Sequence, residues 1–271
     1  MAELSGLRAL VTGGSSGIGA AIARELAARG ADLVLTARRK AALGEVAASC
    51  AGVRVDLVVA DLGVADGAEA VWAAAIAGGP IDIVINNAGF GAFRAFALTE
   101  PERDAEMCQL NMVSLVELTK RFLAQERPRG YVVNIASIGA YQSVPNMALY
   151  AASKAFVRDF TEALHDELRG SAISATCICP GGTRTAFHAA AGAGDYSWLA
   201  NASMMSAEAV ASIAVDAMLA KKRNVIPGLI NKLSCFGVRF VPRWLASWFS
   251  ARVLGKPKLA LPARTGGKAA A

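Results

Sequence analysis

LRALVTGGSSGIGAAIARELAARGADLVLTARR, residues 7–39, has the order strand, glycine turn, helix, strand, and this order decides the fold. LRALVT is a short apolar run that stops at a glycine cluster. In the AAIARELAARG that follows, Ile22 and Leu26 lie four apart, a helical spacing, and Gly30 supplies a helix stop. Gly13, Gly17 and Gly19 follow G-x-x-x-G-x-G, not the more familiar G-x-G-x-x-G. Either spacing meets one physical need: backbone N–H groups and a positive helix end brought against a pyrophosphate, with no side chain in the way. Glycines alone would equally make an ordinary tight turn. The flanking strands and helix favour a bound nucleotide.

The same alternation continues along the chain. VDLVVADLGV predicts a third strand ending at Asp61, and IDIVINNAG a fourth ending in Asn86-Asn87-Ala88-Gly89. YVVNIAS predicts a fifth ending at Ser137, and ISATCICPGG a sixth. Helical stretches lie between them, so the expected fold is α/β: a Rossmann-type, doubly wound parallel sheet with helices on both faces, in a single domain. Ligands of such a sheet sit beyond the C-terminal strand ends, where these polar clusters fall.

The second strand ends in Leu35-Thr36-Ala37-Arg38-Arg39, with no carboxylate before Glu45. An acidic residue there would hold the ribose 2′-hydroxyl of NAD. A guanidinium instead suits a 2′-phosphate, which it can meet with two parallel N–H groups. The expected cofactor is therefore NADP(H), with Arg38 as the main contact and Arg39 as a bystander. A solvated charge cluster opening the next helix is the plainer alternative, although cations are poorly placed against a helix N-terminus.

Tyr150-Ala151-Ala152-Ser153-Lys154 puts a phenol and an ammonium four residues apart, on one face of a helix. A free tyrosine titrates near pH 10, and a cation at about 4 Å would favour its phenolate by up to roughly 4 kcal/mol at an effective dielectric near 20. Such a phenol is useful as an acid or base. Alone the pair is a weak signal. Ser137 lies upstream at a strand end, and Asn111 interrupts the otherwise amphipathic CQLNMVSLVELTKRF, where an amide is a poor helix former.

With Thr12 through Gly19 as T-G-x-x-x-G-I-G, Asn86 through Gly89 as N-N-A-G, and Pro180-Gly181 after the sixth strand, the sequence resembles the short-chain dehydrogenase/reductase family. The resemblance implies a catalytic set of Asn111, Ser137, Tyr150 and Lys154. Tyr150 would exchange a proton with a carbonyl or alcohol oxygen, and Ser137 would hydrogen-bond that oxygen. Lys154 would lower the Tyr150 pKa and hold the nicotinamide ribose; Asn111 would position a water linking Lys154 to solvent. The implied cofactor contacts are Gly13, Ser15, Ser16, Gly17, Ile18, Gly19, Arg38, Arg39, Asp61 and Leu62, then Asn87, Ala88, Gly89, Tyr150, Lys154, Pro180, Gly181, Thr183 and Thr185. Asp61 would meet the adenine and Thr185 the nicotinamide amide, although either residue would equally serve as a cap. The implied activity is an NADP(H)-dependent interconversion of a carbonyl and a secondary alcohol, in a homodimer or homotetramer. A 3-oxoacyl-thioester reductase and a non-catalytic NADP(H)-binding sensor are the alternatives.

The remaining features set limits. Of the 271 residues, 54% are hydrophobic and 18% charged, enough for a large core. The N-terminus, MAELSGLRAL, lacks the form of a secretory signal, and the five cysteines are odd in number without zinc-type spacing, so a cytoplasmic protein with reduced thiols is expected. The two histidines, His165 and His188, are far apart, so no metal is expected; His165 reads as a helix-surface residue and His188 as part of a substrate loop. No motif supports nucleic-acid binding.

The net charge of +6 is uneven: from Lys221 onward there are eleven Lys or Arg and no Asp or Glu. The chain divides into a catalytic domain over 1–224, with a substrate loop at 186–205, and a basic, apolar extension over 225–271 that packs on the same domain and ends in disorder. Phe187, Trp198, Met204 and Met205 in that loop suit an apolar substrate, and Ser206 reads as the cap of the next helix. Within the extension, apolar residues recur at helical spacing over 228–254, broken at Pro242 and interspersed with Lys232, Arg239, Arg243 and Arg252. That stretch is too short for a membrane span. Packing against the body, a lid, an oligomer contact and peripheral membrane contact all remain open for it.

Overall fold

β1 (Arg8–Thr12) is buried along its whole length, as a strand covered on both faces must be. Leu10 faces one layer of helices, while Ala9 and Val11 face the other. The computed structural model describes residues 3–183 and 203–254. From β1 the chain runs through α1 (Gly17–Ala28), β2 (Asp32–Ala37), α2 (Lys40–Ala48), β3 (Val55–Val59), α3 (Gly67–Ile76) and β4 (Ile83–Asn86). It continues through α4 (Pro101–Cys108), α5 (Ser114–Leu123), β5 (Gly130–Ile135), α6 (Ala148–Glu167) and β6 (Ile173–Ile178). α7 (Ala207–Leu219), β7 (Asn224–Val225), α8 (Leu229–Gly237) and α9 (Arg243–Leu254) complete the described residues.

The strands form one parallel sheet in the order β3-β2-β1-β4-β5-β6-β7. Alternate strand residues feed two cores. On one face, Ile22 and Leu26 of α1 and Val215 and Met218 of α7 cover Leu33, Leu35 and Ile83. On the other, Trp72, Leu118, Phe122 and Leu164 cover Val34, Val84 and Val132. Each large side chain so buried contributes about 1.5–3 kcal/mol, which fixes the strand register as well as the layers. The strand order reverses between β1 and β4, and a crevice opens beyond their C-terminal ends at this switch point.

The sheet is as expected, with differences at its margins. Asp61, Ser137 and Pro180 lie two residues past the ends of β3, β5 and β6 and stand in the loops. β7 was not anticipated: two residues are too few to show a period. Ser206 caps α7 as expected, its Oγ accepting from the Ala209 N–H at 3.1 Å. His165 is not a free surface residue, because its Nδ1 lies 2.7 Å from the Ala175 carbonyl and joins α6 to β6. The helical pattern of the extension breaks before Pro242, as its spacing predicts, and resumes at Arg243. α8 and α9 fold back onto the body: Cys235 and Ala246 are buried, and Ser250 Oγ donates to the Ser143 carbonyl at 3.0 Å. The far end of the extension, 255–271, lies outside the described residues.

Candidate functional site

The crevice is held open by hydrogen bonds between the ends of β1 and β4. Thr12 Oγ1 accepts from the N–H groups of Asn87 and Ala88, each at 3.0 Å, and donates to the Ile85 carbonyl at 3.1 Å. Asn87 Nδ2 returns a bond to the Thr12 carbonyl at 2.9 Å. Gly13 follows with φ +64°, and a Cβ there would stand 2.8 Å from Asn87 Nδ2 and 3.0 Å from Ala88 Cα. No residue with a side chain fits without moving that floor. α1 then starts at Gly17 with no side-chain cap from Ser16 and no acid in its first turn. Its first N–H groups and positive end therefore face the crevice free for an anion.

Two elements bring the proposed reacting groups to the other end. The buried face of α6 runs through Ala151, Lys154, Val157, Thr161 and Leu164, so the helix drives a lysine into the protein along with its apolar stripe. Lys154 Nζ donates to the carbonyl of Ile135, the last residue of β5, at 2.8 Å, and stands 5.9 Å from the centre of the Tyr150 ring. Burial lowers the pKa of this ammonium to about 8, against a smaller opposing pull from Cys177 and Cys179. Tyr150 is half-buried and lines the cavity, as does Ser137, whose Oγ accepts from the Gly139 N–H at 3.1 Å.

A second tyrosine in the cavity wall, Tyr141, differs in kind. Its hydroxyl accepts from Asn224 Nδ2 at 2.9 Å, and burial, with Cys179 beside it, pushes its pKa far above that of a free phenol. It remains a neutral wall residue.

Asn111 lies between α4 and α5 in a π-turn, Gln109–Val113, a form common at functional sites. The poor helix former singled out in the sequence marks this irregularity. The buried amide accepts from the Phe90 N–H at 3.1 Å and donates to the Phe90 carbonyl and to Ser153 Oγ, both at 3.0 Å. These bonds clamp the loop after β4 against α6. A Cβ on Gly89 would meet Asn111 Oδ1 at 2.9 Å and Lys154 Nζ at 3.5 Å, so amide and ammonium both crowd the side of that glycine where a side chain would stand.

One cavity of about 1030 Å³ joins the two ends. Gly13, Ser15, Ser16, Gly17, Ile18, Arg38, Arg39, Asp61 and Leu62 line it, with Asn87, Ala88, Gly89, Tyr150, Lys154, Pro180, Gly181 and Thr183. Gly19 and Asn111 stand behind the wall. Thr185, Phe187, His188 and Trp198 lie outside the described residues. Among the described residues, no group of three or more His, Cys, Asp or Glu is placed to hold a metal.

Two neighbouring cations differ in their surroundings. Arg38 Nη1 is paired with Glu106 at 3.1 Å and with Asp61 at 3.6 Å, so the strand-end guanidinium already has anions. Glu106 arrives from α4, and nothing near Arg38 in sequence announces it. Arg39, expected to be a bystander, lines the cavity and has no carboxylate partner among the described residues. Asp61 both lines the cavity and caps a turn, accepting from the Gly63 N–H at 2.8 Å. The spacing of the extension leaves open whether it reaches the cavity; Ile230 of α8, Val238 of the turn after it, and Leu245 and Phe249 of α9 form part of the wall.

The family model for short chain dehydrogenases matches residues 8–195. An uncharacterized oxidoreductase of Myxococcus xanthus is 37% identical over 186 residues, 67% of this chain and 74% of its own length. The very-long-chain 3-oxoacyl-CoA reductase of Anas platyrhynchos is 33% identical over 184 residues, 65% of this chain and 59% of that protein. A structure solved to explain 7beta-hydroxysteroid dehydrogenase stereoselectivity superposes with a TM-score of 0.81 at 26% identity, over 92% of this chain and 98% of its own. A short-chain dehydrogenase from Sphingobium yanoikuyae in complex with NADPH superposes at 0.75 with 30% identity, over 86% and 94% of the two chains.

Proposed function

The chain belongs to the short-chain dehydrogenase family of oxidoreductases, and on that footing we propose that it is an NADP(H)-dependent enzyme interconverting an apolar carbonyl compound and its secondary alcohol. The observation that carries this reading is the convergence of Ser137, Tyr150 and Lys154 on one cavity that also contains an uncapped helix end. The residues present suit a dinucleotide. The Gly13 turn leaves no room for a side chain, the start of α1 is open to a pyrophosphate, and Arg38 and Arg39 flank the end where a 2′-phosphate would lie. The related enzyme solved with NADPH supports the same choice. At about 1030 Å³ the cavity is at the upper end of the usual ligand-site range of about 300–1,000 Å³, with room for a second ligand.

When bound, NADP(H) supplies the hydride for the carbonyl carbon or accepts it from the alcohol. Tyr150 gives a proton to the substrate oxygen in reduction and takes it back in oxidation. Ser137 donates a hydrogen bond to the same oxygen and stabilises the charge that develops on it. Lys154 lies close enough to Tyr150 to favour the phenolate while its own ammonium persists. Asn111 is a positioning residue that keeps the Gly89–Phe90 backbone and Ser153 in place around that ammonium. Apolar walls from Phe93, Val144, Met147, Leu245 and Phe249 favour an apolar substrate.

The decisive experiment follows NADPH oxidation against a panel of ketones of graded apolar size, with Tyr150→Phe as the control. The variant should lose about 10²- to 10⁴-fold in kcat while keeping its affinity for NADPH. Full activity without the hydroxyl would overturn the assignment. A 3-oxoacyl thioester is the second substrate to test, since the relative from Anas platyrhynchos is a 3-oxoacyl-CoA reductase.

A further inference from the structure

The two faces of the C-terminal helices differ. Cys235 and Val238 from α8 and the turn after it, and Leu245, Ala246 and Val253 from α9, point into the cavity. The opposite side is apolar as well, but uncovered. Leu229, Leu233, Phe236 and Phe240 recur at intervals of four, three and four residues, one helical stripe, and Trp244 and Trp248 repeat four apart on α9. Phe240 is 73% exposed, Leu229 71% and Trp244 70%. The Phe236 and Phe240 rings meet edge to face at 5.1 Å, so the stripe continues from α8 into the following turn.

Cations stand among these side chains. Lys232, Arg239, Arg243 and Arg252 are all exposed, and among the described residues none has a carboxylate partner. Arg252 lies 4.4 Å over the Trp248 ring and stays exposed there. The chain holds no acidic residue from Lys221 to its end, so neutralisation has to come from another molecule or a distant part of the chain. Ile230, Val241 and Phe249 belong to both surfaces: each lines the cavity and each is at least 39% exposed. The cavity wall therefore borders the uncovered apolar face.

We propose that the outer face of α8 and α9 docks on an anionic lipid bilayer, and that the cavity receives its apolar substrate from that bilayer. Acyl chains cover the Trp, Phe and Leu stripes while headgroup phosphates meet the unpaired cations, the arrangement of an interfacial amphipathic helix. A second copy of the chain is a poorer occupant, because a two-fold contact would bring two sets of unpaired cations together. Among the described residues no helix is long and apolar enough to cross a membrane, so the contact is peripheral. The docking half of the proposal is independent of the reaction; the delivery half rests on the function proposed above.

The test uses the full chain, without cofactor or substrate, sedimented with vesicles of phosphatidylcholine alone or mixed with phosphatidylglycerol. The mixed vesicles should bind it strongly, and added salt should weaken binding. Arg239→Gln with Arg243→Gln should reduce the partition coefficient by about fivefold per charge removed. Trp244→Ser with Trp248→Ser should reduce it at least about tenfold, with an unchanged melting temperature as the check on folding. Equal binding to both vesicle types, indifference to either variant, or no sedimentation would each overturn the docking. So would a dimer by light scattering that the tryptophan changes convert to monomers. Because no turnover is measured, failure here would leave the proposed reaction standing. If docking holds, kcat/KM for a long-chain ketone held in vesicles should fall with the tryptophan variant while that for a water-soluble ketone does not; equal changes would sink the delivery half.

Discussion

The two ends of the cavity are built in opposite ways. Around Lys154 the polar groups are buried and bonded to backbone carbonyls, with no carboxylate among these partners: ammonium to Ile135, amide to Phe90, hydroxyl of Ser153 to Tyr150. Around Arg38 they are exposed or half-buried, and charged side chains pair with one another: Arg38 with Asp61 and Glu106, and Glu106 in turn with Arg103. Buried groups depend on one geometry, because each unsatisfied partner is costly. Exposed charges can exchange partners for little, since surface pairs contribute only about 0–1 kcal/mol. Under the proposed function, the contrast suits a proton-transfer end that must not move and a phosphate end that has to release its own carboxylates when a ligand arrives.

That contrast fails if substitutions at the two ends have similar effects. The largest change is expected from Lys154→Met, which removes the ammonium beside Tyr150 and should lower kcat/KM by about 10²-fold. The wild-type profile should carry the same signature, with kcat/KM falling as pH rises through about 8, where the ammonium loses its proton. In Lys154→Arg that inflection should move upward, because a guanidinium stays charged. Stability without ligands should change in the opposite sense. Burial lowers the folded-state pKa from 10.5 to about 8, so over that interval the unfolded chain holds the extra proton and folding becomes more favourable as pH rises. Melting temperatures measured across the interval would check the sign.

Asn111→Ala should come next. It leaves the Phe90 N–H and carbonyl and the Ser153 hydroxyl short of partners, at a cost of about 1–3 kcal/mol in a denaturant titration. Unchanged stability would mean the amide clamps nothing. At the exposed end the effects should be smaller and graded. Arg38→Ala should raise the Kd for NADPH about tenfold while scarcely changing that for NADH. Glu106→Gln, which releases the guanidinium, should tighten NADPH by at most about fivefold. Calorimetric titration with both cofactors reads each case, and a loss on Glu106→Gln would show that the carboxylate orients Arg38 instead of competing with the phosphate.

The same division explains what the sequence disclosed. The glycine turn, the strands and the Tyr150–Lys154 pair are local patterns, written in spacings of one to four residues. The parallel, doubly wound sheet followed from their alternation. The partners of Arg38 were hidden because Glu106 stands 68 residues away on another helix. The lowered pKa of Lys154 was hidden because spacing shows that a lysine shares a face with Tyr150 but not that the face is buried. The contribution of α8 and α9 to the cavity wall was hidden because an amphipathic helix does not state what its apolar side will cover.

The π-turn at Gln109–Val113 has a consequence of its own. It amounts to one residue more than a regular helix would take between α4 and α5. Excising that residue would restore even winding. The same excision would leave α4 and α5 close to their present phase, since the wide turn already absorbs the extra residue, and would re-aim the side chains held inside that turn. The Asn111 carboxamide would then leave Phe90 and Ser153, so a smoother helix should come at the expense of the clamp and of the activity it supports.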